Sequence, residues 1–145
     1  MTVKIISRAA IVHQNKVLLV KNIGNKYWSL PGGHWEHESE SLKECASREL
    51  LEETGVEGIL SDMLFSQEFT SKGKKVLEFI WLGSLRDTAA IITSNTIDHS
   101  DTDPDSEIEV VKWFDLSEVE KVEIRPLVLF DFIKNKKVER GHIES

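Results

Sequence analysis

One segment of the chain decides the fold: Trp28–Val56, which reads WSLPGGHWEHESESLKECASRELLEETGV. Its Pro31-Gly32-Gly33 triplet cannot lie inside a helix or a central strand, so it predicts a loop. Ser41 followed three residues later by Glu44 forms a capping box, in which the side chain of each residue accepts a hydrogen bond from the amide of the other. The segment therefore predicts a loop and then a helix that Gly55 ends in the left-handed conformation.

Three glutamates of this helix are placed unusually. At about 100° per residue, Glu49 and Glu53 fall within the apolar stripe of the helix, and Glu52 borders it. The stripe consists of Leu42, Cys45, Ala46 and Leu50. Carboxylates that face inward repel one another and lose hydration, which is costly unless a positive charge lies among them. A hard divalent cation such as Mg²⁺ or Mn²⁺ is the simplest solution, because both take oxygen ligands and the carbonyls of the glycine loop can complete the shell.

The same segment resembles the Nudix box, whose pattern is G-x5-E-x7-R-E-U-x-E-E-x-G-U, with U a bulky aliphatic residue. From Glu40 onward every fixed position matches, through Arg48-Glu49-Leu50, Glu52-Glu53 and Gly55-Val56. The front of the pattern departs by one residue, because six positions rather than five separate Gly33 from Glu40. We interpret this difference as a one-residue insertion in the loop.

The resemblance implies a single α/β domain over residues 1–145, an α/β/α sandwich with a mixed β-sheet in which the box forms a loop–helix–loop. It also implies a pyrophosphohydrolase that uses Mg²⁺, with Mn²⁺ as an alternative, to let water attack a phosphorus of a nucleoside diphosphate derivative. Carried onto this chain, the carbonyl of Gly33 and the side chains of Glu49, Glu52 and Glu53 would hold the metal. Arg48 would orient a glutamate of the cluster, and Glu53, Glu49 and Arg48 are the predicted catalytic residues of the box.

The general base stays open at this point, because the family takes it either from the box or from an acidic residue in a later loop. The acidic residues available in the later loop are Asp98, Asp101, Asp103, Asp105 and Glu107. We favour Glu107, because it opens a predicted strand and would be held more firmly than the loop aspartates. The alternative is that the acidic run serves only solubility.

The rest of the chain is predicted from hydrophobic patterning. Val3–Val12 and Lys16–Val20 are apolar, β-branched runs that predict a hairpin, and a second, longer hairpin is predicted around Ser71–Lys74. The spacing of apolar residues predicts a closing amphipathic helix from Arg125 to about Lys137, and the residues after it are expected to fray.

Arg8, Trp28 and Trp35 are the candidate substrate contacts. Aromatic residues in strands belong to the core far more often than to a ligand site, but Trp35 lies in the inserted loop, where that objection is weaker. His34 and His37 flank Trp35 and are expected to be exposed.

Composition limits the classes of partner. The chain has 18 Lys and Arg against 25 Asp and Glu, a formal net charge of −7, which is the opposite of what a general nucleic-acid binder shows. The single cysteine, Cys45, excludes an internal disulfide. No long apolar run or signal-peptide pattern is found, so we expect a cytoplasmic protein whose partner is a small nucleotide, with no membrane or nucleic acid polymer involved. Monomer and homodimer both stay open.

The leading hypothesis is a Mg²⁺-dependent pyrophosphohydrolase acting on an ADP-ribose-like nucleoside diphosphate derivative. The preference rests on a general likeness of the chain, including Ile124-Arg125-Pro126-Leu127, to ADP-ribose pyrophosphatase-like members of the family. The alternatives are a (d)NTP pyrophosphatase that sanitises the nucleotide pool and a non-catalytic domain that senses nucleotides. A sensor would normally have lost glutamates of the box, and this chain keeps them all.

Overall fold

The computed structural model describes residues 2–36, 38–87, 96–97, 108–125 and 142–144. The described residues form one α-helix, a single 3₁₀ turn at Val119–Lys121 and ten β-strands. The elements are, in chain order, β1 (Val3–His13), β2 (Lys16–Asn22), β3 (Trp28–Ser29), β4 (Gly32–His34), α1 (Leu42–Thr54), β5 (Gly58–Ser71), β6 (Lys74–Leu85), β7 (Thr96–Ile97), β8 (Ile108–Asp115), β9 (Ile124–Arg125) and β10 (His142–Glu144).

The sheet is mixed and centred on β1. Its strands follow the order β10-β5-β6-β1-β2-β3-β9, with β4 added beside β1 and β8 beside β2. The β1–β6 pair is parallel and runs from Val3 opposite Lys75 to Ile11 opposite Gly83, whereas β1–β2 and β5–β6 are antiparallel. The two predicted hairpins are confirmed, and each closes on residues with positive φ: Gln14 and Asn15 in the first, Lys72 and Gly73 in the second.

The core has two parts because both faces of the central strands are buried. Along β1 and β2, successive residues alternate between the two parts, with Ala9 and Leu18 in one and Ala10 and Leu19 in the other. Ala46 and Leu50 of α1 pack into the part that contains Ala9. The helix therefore lies against the face of the sheet that its apolar stripe predicts.

Helix α1 begins and ends where the sequence predicts. Ser41 is its N-cap and forms the full capping box with Glu44, with both hydrogen bonds at 3.0 Å. Gly55 caps the C-terminus at φ 74°, and its amide donates to the carbonyl of Leu51.

The C-terminal part differs from the prediction or lies outside the description. His142–Glu144, expected to fray, pairs in parallel with Ser66–Glu68 of β5, a long-range contact that the local sequence does not signal. Arg125, the predicted first residue of the closing helix, lies instead in strand β9, and residues 126–137 lie outside the described residues. No α-helix in the described ranges is long and apolar enough to cross a membrane.

Candidate active site

A cleft of about 780 Å³ opens beside the N-terminal half of the Nudix-like segment. Strands β1, β5 and β6 form its floor, and the glycine loop, α1 and the β3–β9 pair supply its walls. The lining residues that carry chemistry include Arg8, Gly33, Glu53, Gln67, Glu78 and Arg125. Two of these, Glu53 and Gly33, come from the stretch that the sequence predicts to hold a metal.

Glu53 lies at the wall of the cleft and is held by the glycine loop. Its Oε2 accepts a hydrogen bond of 2.9 Å from the amide of Gly32. Burial raises the pKa of Glu53 to about 8, although the Gly32 hydrogen bond and the nearby Arg8 charge act in the opposite direction. The inward orientation of this glutamate is as the helical periodicity predicts.

The prediction that Gly32 and Gly33 lie in a loop is wrong: they begin strand β4, where Gly32 pairs with Arg8 and Gly33 with Ser7 of β1, and both are fixed by close approach to their neighbours. A Cβ atom at Gly32 would lie 2.4 Å from the carbonyl oxygen of Ser7, and one at Gly33 would lie 2.5 Å from Cδ of Glu49. A side chain at position 33 would therefore displace the Glu49 carboxylate. The Gly-Gly pair serves to bring the backbone against β1 and against the helix carboxylates.

Arg48 organises the other carboxylates of the box. Its Nε and Nη2 contact the two carboxylate oxygens of Glu40 at 2.7 and 3.3 Å, and its Nη1 reaches Glu49 at 3.0 Å and Glu52 at 3.1 Å. The hydrogen bond to Glu40, more than any other contact, raises the pKa of Arg48 above its ordinary value. Burial raises the pKa of Glu49, and the Arg48 charge opposes that rise. One guanidinium thus serves three carboxylates.

Glu52 lies farther out than Glu49 and Glu53. Its side chain is 44% exposed and turns along the helix surface to Arg48, and of the three glutamates only Glu53 is part of the cleft lining. Within the described ranges, no three His, Cys, Asp or Glu side chains lie together as a metal would require. The structure brings Gly33 and Glu49 into contact and holds Glu53 on the adjacent Gly32, so the role of Glu52 as a ligand stays a prediction.

The floor of the cleft contains a polar network. Glu78 is only 3% exposed, and its carboxylate accepts from Arg8 Nε and from Gln67 Nε2, each at 3.0 Å. Arg8 also donates from Nη1 to the carbonyl of Leu30, at 2.8 Å, just before the glycine loop.

The sequence analysis named Arg8 as a substrate contact, which stays a prediction, but it missed Glu78, which pairs with Arg8, and Gln67, which donates to Glu78. Gln67 and Glu78 stand directly opposite each other on β5 and β6, a pairing that already follows from the predicted turn at Ser71–Lys74. The sequence held one sign that Glu78 is buried: it lies between Val76 and Ile80, which are apolar and share its side of the strand. This sign was obscured because the intervening positions are apolar too.

The outer wall carries a second feature that the sequence did not reveal. The guanidinium of Arg125 lies 4.3 Å from the centre of the Tyr27 ring and forms an ion pair with Glu123 at 3.3 Å. The parallel pairing of β3 with β9 places Ser29 opposite Arg125 and so sets this arrangement. Both Tyr27 and Arg125 line the cleft.

The two candidate tryptophans lie away from the described cleft lining. Trp28 packs edge-to-face on Phe114, with ring centres 4.8 Å apart, and borders the core. Trp35 is half-buried in the inserted loop and donates its indole N–H to the carbonyl of Glu40. Substrate contact by Trp28 and Trp35 stays a prediction.

The acidic residues proposed as alternative bases, Asp98, Asp101, Asp103, Asp105 and Glu107, lie outside the described residues, and so does His37. His34 is exposed, as expected, and lines the cleft. The role of Glu107 as general base therefore stays a prediction.

Comparisons with known proteins agree with this geometry. The model of the NUDIX domain matches residues 4–132. "Nudix hydrolase 16, mitochondrial" from Arabidopsis thaliana is 34% identical over 103 residues, which cover 71% of this chain and 55% of that protein. "Nudix hydrolase 4" from the same plant is 30% identical over 107 residues, covering 74% of this chain and 47% of that protein. The chain thus spans about half the length of these two relatives.

Solved structures with the same fold cover nearly the whole chain. An ADP-ribose pyrophosphatase from Streptococcus suis has a TM-score of 0.68 at 19% identity and covers 98% of both chains. A MutT protein from Methanosarcina mazei has a TM-score of 0.67 at 25% identity, covering 92% of this chain and 91% of that one. A UDP-X diphosphatase has a TM-score of 0.70 at 22% identity and covers 100% of this chain and 68% of that one. The mixed sheet with α1 packed against it is therefore the sandwich fold of these proteins.

Proposed function

The chain belongs to the Nudix family of hydrolases that act on pyrophosphate bonds, and from this premise we propose that it is itself a pyrophosphohydrolase acting on a small nucleoside diphosphate derivative. The observation that carries the proposal is the pairing of the glycine loop with the helix. Gly32 holds Glu53 at the wall of a cleft of about 780 Å³, and Gly33, which also lines the cleft, leaves room for Glu49 behind it. Carboxylates held in this way beside open space are suited to charge-dependent chemistry on an anion.

The chemistry of the residues present suits a hard divalent cation, which would have to draw the carboxylates together, because the described residues hold no preformed group of three ligands. The donor set of Glu49, Glu52, Glu53 and the Gly33 carbonyl is all oxygen, and the missing Cβ at Gly33 keeps that backbone against the Glu49 carboxylate. Burial opposes the charged forms of Glu49 and Glu53, so a bound cation would stabilise the carboxylates. We propose Mg²⁺, with Mn²⁺ as a substitute, held by these residues.

When bound, the cation supplies neutralisation of the phosphate oxygens and lowers the pKa of water. The chain contributes orientation: Gly32 fixes one oxygen of Glu53, and Arg48 fixes one oxygen of Glu49. Either carboxylate keeps a second oxygen with which to accept the proton of the attacking water. The water oxygen then bonds to phosphorus, the P–O bond of the anhydride breaks, and the bridging oxygen leaves with the second phosphoryl group.

The cleft supports an ADP-ribose-like substrate more than a nucleoside triphosphate. Its two arginines, Arg8 and Arg125, are each paired with a glutamate, Glu78 and Glu123, so away from the glycine loop the described lining offers no unpaired Lys or Arg for a further phosphate. Burying an unpaired phosphate against Glu78 would be unfavourable. An uncharged sugar beyond the diphosphate, in contrast, finds hydrogen-bonding groups there without a charge conflict.

The test is a phosphate-release screen with Mg²⁺ over ADP-ribose, nucleotide sugars, dinucleotides and (d)NTPs, with a phosphatase added to reveal monophosphate products. We expect turnover of nucleoside diphosphate sugars, strict dependence on the cation, and slower turnover of (d)NTPs. Preferred turnover of (d)NTPs would favour a pool-sanitising enzyme. Tight nucleotide binding without phosphate release from any compound of the panel would favour a sensor and contradict the proposal.

A further inference from the structure

The loop from Gly33 to Glu40 joins two parts of the site at fixed positions. Gly33 lies against the Glu49 carboxylate, and the Glu40 side chain, 13% exposed, contacts Arg48 through both of its oxygens. This loop is one residue longer than the family pattern allows. Because closure entropy grows slowly with loop length, the added residue costs little free energy. It does add conformational freedom, or slack, to the loop, at a site whose geometry must be held within about 0.5 Å.

Trp35 removes that slack through two hydrogen bonds. Its amide donates to the carbonyl of Ile5 at 2.9 Å, which ties the start of the loop to β1. Its indole N–H donates across the loop to the carbonyl of Glu40 at 2.5 Å. The neighbouring residues Glu36, Glu38 and Ser39 are exposed, so these two bonds link the far end of the loop to the sheet.

From Glu40 the constraint continues to the predicted metal ligands. The Glu40 carboxylate fixes the guanidinium of Arg48, and Arg48 Nη1 donates to Oε1 of Glu49 at 3.0 Å. A shift of the Glu40 backbone would therefore move Arg48 and release Glu49. Partners of this kind, which orient a ligand without contacting the metal, typically change metal affinity about 10–100-fold when removed.

We propose that Trp35 is a positioning residue that compensates for the longer loop and sets the affinity for the divalent cation through Glu40, Arg48 and Glu49. The inference rests on the proposed function only in assuming that Glu49 is a ligand of the cation. It gives Trp35 a role other than substrate contact. The indole N–H, rather than the size of the ring, is the group that matters.

The test is calorimetric titration of the metal-free protein with Mn²⁺, which needs no substrate. Trp35→Phe should raise the Kd for Mn²⁺ about 10-fold or more, whereas kcat at saturating metal should change less than about threefold. Trp28→Phe, which alters a tryptophan at the edge of the core, is the matched control and should leave the Kd unchanged. Deleting Ser39 in the Trp35→Phe protein shortens the loop to the family length and should recover most of the lost affinity.

Unchanged Mn²⁺ affinity in a folded Trp35→Phe protein would overturn the inference, and so would a wild-type protein that binds no Mn²⁺. If Trp35→Phe does not fold, replacing the Trp35 indole by benzothiophene keeps the ring and exchanges only the N–H for sulfur. A wild-type Kd in that protein would also overturn it. Loss of Mn²⁺ affinity in a chain that hydrolyses no substrate would support the role of Trp35 while contradicting the proposed function.

Discussion

Two arginines of this protein each hold carboxylates beside the cleft, and their surroundings differ. Arg8 pairs with one carboxylate, Glu78, on strands of the sheet, and the pair is neutral and mostly buried. Arg48 serves Glu40, Glu49 and Glu52 between a helix and a loop, so its cluster keeps an excess of negative charge and stays partly exposed. In the Arg8–Glu78 pair the two charges balance, and the pair stabilises the fold. The Arg48 cluster has three carboxylates for one guanidinium, so its excess negative charge is suited to binding a cation.

The largest effect on activity is expected at Glu53, the glutamate of α1 that lines the cleft. Glu53→Gln keeps the shape of the side chain but removes the carboxylate that Gly32 holds. We expect kcat to fall roughly 10²–10⁴-fold, the scale of losing a positioned acid–base or charge-stabilising group, with the fold retained. Glu44→Gln, on the exposed face of the same helix, is the control and should be nearly silent in steady-state kinetics.

The Arg8–Glu78 ion pair should contribute to the stability of the fold. Arg8→Met leaves the Glu78 carboxylate buried without its cation, and we expect the free energy of unfolding to fall by about 3 kcal/mol. The double variant Arg8→Met/Glu78→Met should recover most of the loss, because no isolated charge remains. Arg48→Met should cost only about 1 kcal/mol, because Arg48 and Glu52 are 32% and 44% exposed and so interact through water. Urea denaturation of the three variants measures these free energies of unfolding. Equal decreases for Arg8→Met and Arg48→Met would contradict the proposed difference between the two arginines.

The pH dependence of stability offers a finer test. In metal-free protein the pKa of Glu53 is about 8, so the side chain holds its proton to that pH, whereas the unfolded chain releases it near the ordinary pKa of 4.5. The folded state therefore binds more protons between these values, and the free energy of unfolding should fall as pH rises through this window. Because a cation binds the ionised form, the stabilisation by Mg²⁺, about 2.7 kcal/mol at 100 times its Kd, should grow with pH.

Thermal melts with and without Mg²⁺ between pH 5 and 9 measure this linkage. The Glu53→Gln protein is the control. It lacks the titrating carboxyl of residue 53, so its stability should depend less on pH. A Mg²⁺ effect that is independent of pH in the wild type would contradict the assignment of Glu53 as a buried group that the cation charges.

The smallest effect concerns the thiol of Cys45, a buried residue of α1 itself. Burial, and then the Glu40 charge, raises the pKa of the Cys45 thiol to about 11, and its sulfur lies 3.6 Å from the carbonyl of His34. The thiolate is the reactive form, so alkylation by iodoacetamide at pH 8 should be at least about 100-fold slower in the folded protein than in urea. Rapid labelling of the native protein, followed by mass spectrometry, would show that the helix opens readily.

The sequence predicts the elements whose causes are local. The capping box at Ser41, the stop at Gly55 and the inward orientation of Glu49 and Glu53 all depend on residues within one turn or one helical stripe, and each is confirmed. Features that depend on pairing between strands distant in the chain were missed. Tyr27 meets Arg125 only because β3 pairs in parallel with β9, a register that local patterning does not fix.

The position of Glu52 shows a second limit. Periodicity places it at the border of the apolar stripe, and there the choice between cleft and surface depends on a single competing contact. Arg48 lies four residues earlier on the same helix and draws the side chain outward.

The parallel pairing of β1 with β6 has a consequence for biosynthesis. Ile11 lies opposite Gly83, so the central strand must wait for about 70 further residues before its main neighbour exists. At about 5–20 residues per second this delay lasts about 4–14 s, during which the β1–β2 hairpin stands with an open edge. The nascent chain is therefore most vulnerable to aggregation in this interval, and a chaperone that covers β1 until β6 emerges would raise the yield of folded protein.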